Sequence, residues 1–145
     1  ARSIQLVSDN SQYESHVYLP KIKKVTQRNV DDLLNIYNIE KYFPLPSTLF
    51  EEGQDCLIIK CPDNSLFESG VKYDDILIID RQQEIKDGDI ILVLYEGHTL
   101  LRFYSKHENP DFVVLKADSN LLEKETFNRS EVTIIGKLVG KYTQY

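Results

Sequence analysis

From Cys56 onward the chain is cut into short apolar runs by turn residues, and no other feature narrows its fold so far. Cys56–Lys60, Ile76–Asp80, Ile90–Tyr95, Thr99–Tyr104, Phe112–Lys116 and Val132–Val139 are rich in Ile, Val, Leu and Tyr. Ser69-Gly70, Asp87-Gly88, Glu96-Gly97 and Asn109-Pro110 separate them, which is strand-and-turn chemistry. Glu96-Gly97 or Gly97-His98 sits where a two-residue hairpin loop would join Ile90–Tyr95 to Thr99–Tyr104. Six short strands with at most one short helix predict a mainly β domain, built as a small, partly closed antiparallel barrel. Ile90–Tyr95 is apolar at nearly every position and is expected to be covered on both faces. A length of 145 residues suits one such domain, and the sequence contains no internal repeat.

The N-terminal part reads differently. Residues 1–18 are polar and show neither helical nor strand period, and Ser8-Asp9-Asn10-Ser11-Gln12 is linker chemistry. The expected division is a linker or truncated interdomain segment over 1–18 and a folded domain over 19–145, and a chain that opens in linker is expected to be part of something longer. Val30, Leu33, Leu34 and Tyr37 fall at helical spacing with Asp31 and Asp32 near the start, which predicts a short helix. Pro44 and Pro46 then hold Tyr42–Ser47 extended, since proline fixes φ and disfavours helix in the residue before it.

Charge narrows the partners. The chain carries 17 basic and 23 acidic residues, net −6. Residues 51–100 hold twelve acids but only Lys60, Lys72, Arg81 and Lys86 as bases, so this stretch repels a phosphate backbone. The single basic cluster, Lys21, Lys23, Lys24 and Arg28, reads as a solvated connector rather than a DNA contact. Two cysteines, Cys56 and Cys61, are too few for a disulfide framework or a four-ligand zinc site. No apolar run approaches the roughly 20 residues that cross a bilayer, and no signal peptide opens the sequence. A reduced cytoplasmic chain with no membrane association is expected.

The search for catalytic or ligand motifs is thin when made on the residues alone. There is no glycine-rich phosphate loop, no HExxH and no His/Cys cluster. His16, His98 and His107 are scattered and read as surface residues. Asp87 and Asp89 flank Gly88, which makes a turn more readily than a cation site, because a calcium loop needs several more oxygen ligands. Neither a cofactor nor a metal is expected. Ser65, following Pro62-Asp63-Asn64, reads by itself as a turn residue.

Two ungapped blocks change the reading of Ser65. KCPDNSLFESGVKYDDILIID (Lys60–Asp80) and IKDGDIILVLYEGHTLLRFY (Ile85–Tyr104) resemble the LexA/UmuD family of self-cleaving repressor and mutagenesis proteins. Ser65 falls on the family's nucleophilic serine, Asp75 on the last aspartate of its D-G-D triplet, Gly88-Asp89 on its second G-D, and Glu96-Gly97 on its hairpin turn. Asn38–Pro46 (NIEKYFPLP) resembles the segment before the first core strand, and Ile134–Tyr142 (IIGKLVGKY) the closing strand. The resemblance covers about three quarters of the chain. It implies the LexA/UmuD C-terminal-domain type of β fold, with a core from Cys56 to Tyr142.

Three departures bear on activity. In the family a lysine amine takes the serine proton, for which it must be buried and neutral near pH 7. Arg102 occupies that place, and a guanidinium does not deprotonate in proteins. Strand alternation puts Arg102 on one face with Leu100 and Tyr104. Around the serine, the family's glycine and methionine are replaced by Asp63 and Leu66. The family cuts itself at Ala-Gly or Cys-Gly, and neither dipeptide occurs here; the corresponding Lys24–Val30 reads KVTQRNV. Ser65 and Arg102 therefore mark nucleophile and base positions of a site expected to be inactive.

The expected role is the C-terminal dimerisation and regulatory domain of a LexA-like or phage-type repressor. It would reach DNA only through a helix-turn-helix domain absent from this sequence and pair as a homodimer through roughly Val132–Tyr142. An antirepressor or other regulatory protein is a further possible partner. Two alternatives stand beside it: a self-cleaving serine peptidase using Lys60, Lys72 or Lys106 as base, and a UmuD-like accessory protein of a DNA polymerase.

Overall fold

The computed structural model describes residues 15–52, 54–118 and 124–143. Among the described residues nine strands follow in chain order: β1 (His16–Ile22), β2 (Ile39–Pro46), β3 (Cys56–Lys60), β4 (Ile76–Asp80), β5 (Ile90–Tyr95), β6 (His98–Lys106), β7 (Phe112–Lys116), β8 (Glu125–Asn128) and β9 (Val132–Tyr142). The six apolar runs all form strands. The extended reading of Tyr42–Ser47 holds through β2, with Ser47 opening a short 3-10 turn. Glu96 and Gly97 both take positive φ, +49° and +80°, between the paired Tyr95 and His98. Two positive φ values define the type I′ turn that matches strand twist in a two-residue hairpin.

The strands form one sheet in the order β2-β1-β3-β4-β9-β5-β6-β7-β8. Every neighbouring pair is antiparallel except β1 and β3, which run parallel with Lys21 opposite Ile58. The expectation of a partly closed antiparallel barrel is therefore corrected: the sheet is mixed, and β2 and β8 remain its two ends. Both ends are blunted instead of joined. β2 carries Pro44 and Pro46, which offer no N–H, and β8 is four residues long.

β9 turns the sheet. Its first half, Val132–Lys137, pairs with β5, and its second, Lys137–Tyr142, pairs with β4, with register shifts at Leu92/Val93 and Ile78/Ile79. Such irregularities bend a strand. They fold the two halves of the sheet over a core in which Leu57 and Ile59 of β3 meet Leu92 and Leu94 of β5 and Leu101 of β6. The opposite face of β5 places Ile91 and Val93 against Tyr104, Val113 and Leu115. β5 is thus buried on both faces, as its composition predicts.

Two N-terminal expectations need correction. β1 begins at His16, so residues 16–18 belong to the sheet and not to a linker; residues 1–14 of the predicted linker lie outside the described residues. The helix predicted from Val30 to Tyr37 is a series of turns ending in a 3-10 turn at Ile36–Asn38. Asparagine side chains explain the difference. Asn35 Oδ1 accepts the Tyr37 N–H, Asn38 Nδ2 donates to the Asp32 carbonyl, and Asn29 Nδ2 donates to the Lys24 carbonyl. Such local bonds offer the backbone an alternative to helix. Leu33 alone is buried, while Ile36 and Tyr37 are exposed.

Candidate functional site

The site forms where the loop after β3 meets β6. Along β6, alternation sends Leu101 and Phe103 into the core between the sheet halves and Arg102 to the other side, opposite Ile91 of β5. The loop carrying Ser65 is pinned from several directions. Leu66 is 1% exposed and anchors it in the core. Asn64 Oδ1 accepts the Tyr73 N–H at 2.8 Å. The short 3-10 turn Phe67–Ser69 ends at Gly70 in the left-handed region, φ +91°, where glycine carries no Cβ penalty.

Asp118, just past β7 and 2% exposed, completes the hold. Its backbone N–H donates to the Ser65 carbonyl at 2.9 Å. Its carboxylate accepts the Glu68 N–H at 2.6 Å and the Ser69 hydroxyl.

Ser65 and Arg102 come together directly. Arg102 Nη1 donates to Ser65 Oγ at 2.6 Å, to Asp63 Oδ2 at 3.1 Å and to the Leu101 carbonyl at 2.9 Å. Ser65 Oγ in turn donates to Asp63 Oδ1 at 2.7 Å, and the same oxygen accepts the Ser65 N–H at 3.0 Å. The Asp63–Arg102 pair is largely shielded, with side chains 28% and 16% exposed. The hydroxyl proton thus points at a carboxylate while a cation occupies a lone pair. A guanidinium has no site to accept that proton, and an ionised carboxylate is a weak base toward an alcohol.

The other residues singled out by sequence are placed elsewhere. Asp75, 3% exposed, accepts the Lys72 N–H at 2.8 Å and faces Lys141 Nζ at 3.6 Å. Burial raises its pKa, but bonds from Lys72 and Thr143 and the Lys141 charge outweigh this and hold it below the usual carboxylate range. It ties the turn before β4 to β9. Asp87 Oδ1 accepts the Lys106 N–H and Asp89 Oδ2 the Lys86 N–H, each at 2.7 Å, around Gly88 at φ +89°. That is the turn reading of the two carboxylates. No cluster of three or more His, Cys, Asp or Glu able to hold a metal occurs among the described residues.

His16 and His98 are exposed and His107 is half-buried, its Nδ1 accepting the Asn109 N–H. Both cysteines are buried, and burial is the main reason that each thiol is pushed up to about 11. Among the described residues no helix is long and apolar enough to cross a membrane.

Lys60 Nζ lies 3.6 Å from Asp74 Oδ1, Lys72 is exposed in the turn before β4, and Lys106 is exposed at the end of β6. Residues 27–30 lie in turns. Thr26 Oγ1 accepts the Arg28 and Asn29 N–H groups and Asn29 Oδ1 accepts the Thr26 N–H, leaving Gln27 and Arg28 exposed at the tip of a closed turn.

Two contacts escape a reading by sequence, the bond between Asp63 and Ser65 and the hold of Asp118 on the loop. Asp63 carries a faint signal, since an Asp two residues before a Ser suits an Asx turn. Asp118 carries none, because fifty positions separate it from Glu68.

A model of the Peptidase S24-like family matches residues 24–139, and the chain belongs to that family. Among curated proteins it is similar to the LexA repressors of Clostridium acetobutylicum and of Clostridium botulinum, each 27% identical over 144 residues, covering 99% of this chain and 68% of the relative. The LexA repressor of Bacillus mycoides is likewise 27% identical over 144 residues, covering 97% of this chain and 67% of that protein.

Proposed function

We propose that this chain is the dimerisation and regulatory module of a LexA-like repressor whose peptidase-like site does not cut. One observation carries the reading: Arg102 Nη1 sits 2.6 Å from Ser65 Oγ, in the place where the resemblance puts the lysine base. The closed turn at Thr26–Asn29, in the region where the family carries its cleavage dipeptide, supports it, because a peptidase attacks extended backbone. DNA contact would come from a helix-turn-helix domain outside this sequence, consistent with relatives that are longer and are named repressors.

Restoration tests the reading. Arg102→Lys alone should give little self-cleavage, since no small residue pair is present to be cut. Arg102→Lys combined with Gln27→Ala and Arg28→Gly should recover some cleavage near residue 27 at alkaline pH, where a lysine amine loses its proton. Adding Ser65→Ala should abolish it. Cleavage that persists without Ser65 would remove the serine from the role assigned to it.

A further inference from the structure

The basic cluster of the N-terminal segment acquires a partner in the fold. β1 and β3 share one register pair, Lys21 opposite Ile58, and beyond it a cleft of about 420 Å³ opens between residues 21–25 and 59–62. Ile22, Val25 and Ile59, all buried, contribute an apolar floor. Lys21, Lys23, Lys24 and Lys60 stand around it against only Glu40 and Asp74, a local balance of four positive charges to two negative in a chain of net −6.

The lysines are not equivalent. Lys21 is 5% exposed and committed to Glu40, with both carboxylate oxygens at 3.1 Å. Lys60 faces Asp74 at 3.6 Å. Lys23 and Lys24 are exposed, and neither is in an ion pair among the described residues.

We propose that this cleft binds an extended acidic segment of a partner protein, apolar side chains on the floor and carboxylates at Lys23 and Lys24. Lysine ammoniums are point charges that suit separately spaced carboxylates. An extended strand alternates its side chains, so acidic and apolar residues in alternation would meet rim and floor together. The volume lies at the lower end of the roughly 300–1,000 Å³ of typical ligand sites, which fits a few residues of a peptide. A nucleic acid is disfavoured, because a phosphodiester backbone has no apolar side chain for the floor. The cleft ends at Pro62, adjacent in sequence to Asp63, so an occupant would lie beside the Ser65 loop. The inference rests on the cleft and holds whether or not Ser65 cuts.

Fluorescence anisotropy on the full chain tests it, with a fluorescein-labelled peptide of alternating Glu and Val, a peptide of alternating Lys and Val, and a labelled single-stranded DNA. The acidic peptide should bind saturably and more weakly as salt rises. Lys23→Glu with Lys24→Glu should weaken it about tenfold or more, a loss of about 1.4 kcal/mol, while Lys106→Glu should leave it unchanged. Both lysines are exposed, and circular dichroism would verify that the double variant folds. Four results would each overturn the proposal: no saturable binding, equal binding of the basic peptide, indifference to the double variant, or DNA binding more tightly than the acidic peptide.

Discussion

Asp63 changes what a serine beside an arginine can mean. With a lysine base the hydroxyl proton would have an acceptor able to carry it away. Here the hydroxyl is held between Asp63 Oδ1 and Arg102 Nη1 at 2.7 and 2.6 Å, and the charges on its two partners neutralise each other. That Ser65 and Arg102 would lie together was legible in sequence because both fall inside ungapped blocks bounded by turns. The closing of the network by Asp63, and the clamp from Asp118, were not, since they depend on contacts that no local pattern encodes.

Other buried carboxylates set the acid response. Asp80 is fully buried and accepts the Gln82 and Asp55 N–H groups at 2.9 and 3.2 Å. Burial opposes its charge, but these bonds prevail and keep its pKa lowered, as they do for Asp75. With the folded pKa below the unfolded value of about 3.9, the unfolded chain takes up its proton first as pH falls. This contribution is complete above the unfolded value and is lost as pH drops through the folded one. Urea midpoints should therefore fall as pH drops below about 5, and Asp80→Asn should make that decline shallower. An unchanged slope in the variant would count against the assignment.

Among the elements, β9 does the most to shape the molecule. Gly136 marks the passage from its β5-paired to its β4-paired half, and a Cβ there would sit 2.6 Å from the Asp80 carbonyl oxygen and 2.7 Å from Ile79 Cγ2. Gly136→Ala should cost about 1–3 kcal/mol by overpacking. Gly140→Ala, whose Cβ would meet Ile78 Cδ1 at 3.4 Å, should cost far less. Urea denaturation of the two variants provides the check.

The six apolar strands from Cys56 onward were readable because apolar composition and turn residues agreed there. The region from Lys24 to Asn38 was not, because Val30, Leu33, Leu34 and Tyr37 mimic a helical period while Asn29, Asn35 and Asn38 capture the backbone in turns. β8 escaped for another reason: Glu125–Asn128 has one half-buried position, Phe127, packed edge-on to Tyr95.

For the whole molecule, an open sheet with blunted ends leaves association to be decided elsewhere. β9 lies in the middle of the strand order, so it is not an edge strand. Even so, among the described residues Val132–Gly136 pair only with β5 and Leu138–Tyr142 only with β4, and Val139 and Tyr142 are 38% and 47% exposed. Unpaired backbone beside exposed apolar side chains favours a second copy of the chain. Sedimentation equilibrium should show a dimer forming into the high micromolar range, weakened by Val139→Lys. Monomer throughout would contradict that role for the segment.

Under the proposed function, Arg102 holds Ser65 inert. The most direct measurement of this is intact-mass spectrometry of the unmodified chain after prolonged incubation at alkaline pH, beside Ser65→Ala. Both proteins should remain whole, because no accessible pH deprotonates a guanidinium. Fragments from the unmodified chain that are absent from Ser65→Ala would mean that another group supplies the base, and the reading of this domain as a non-cleaving module would be wrong.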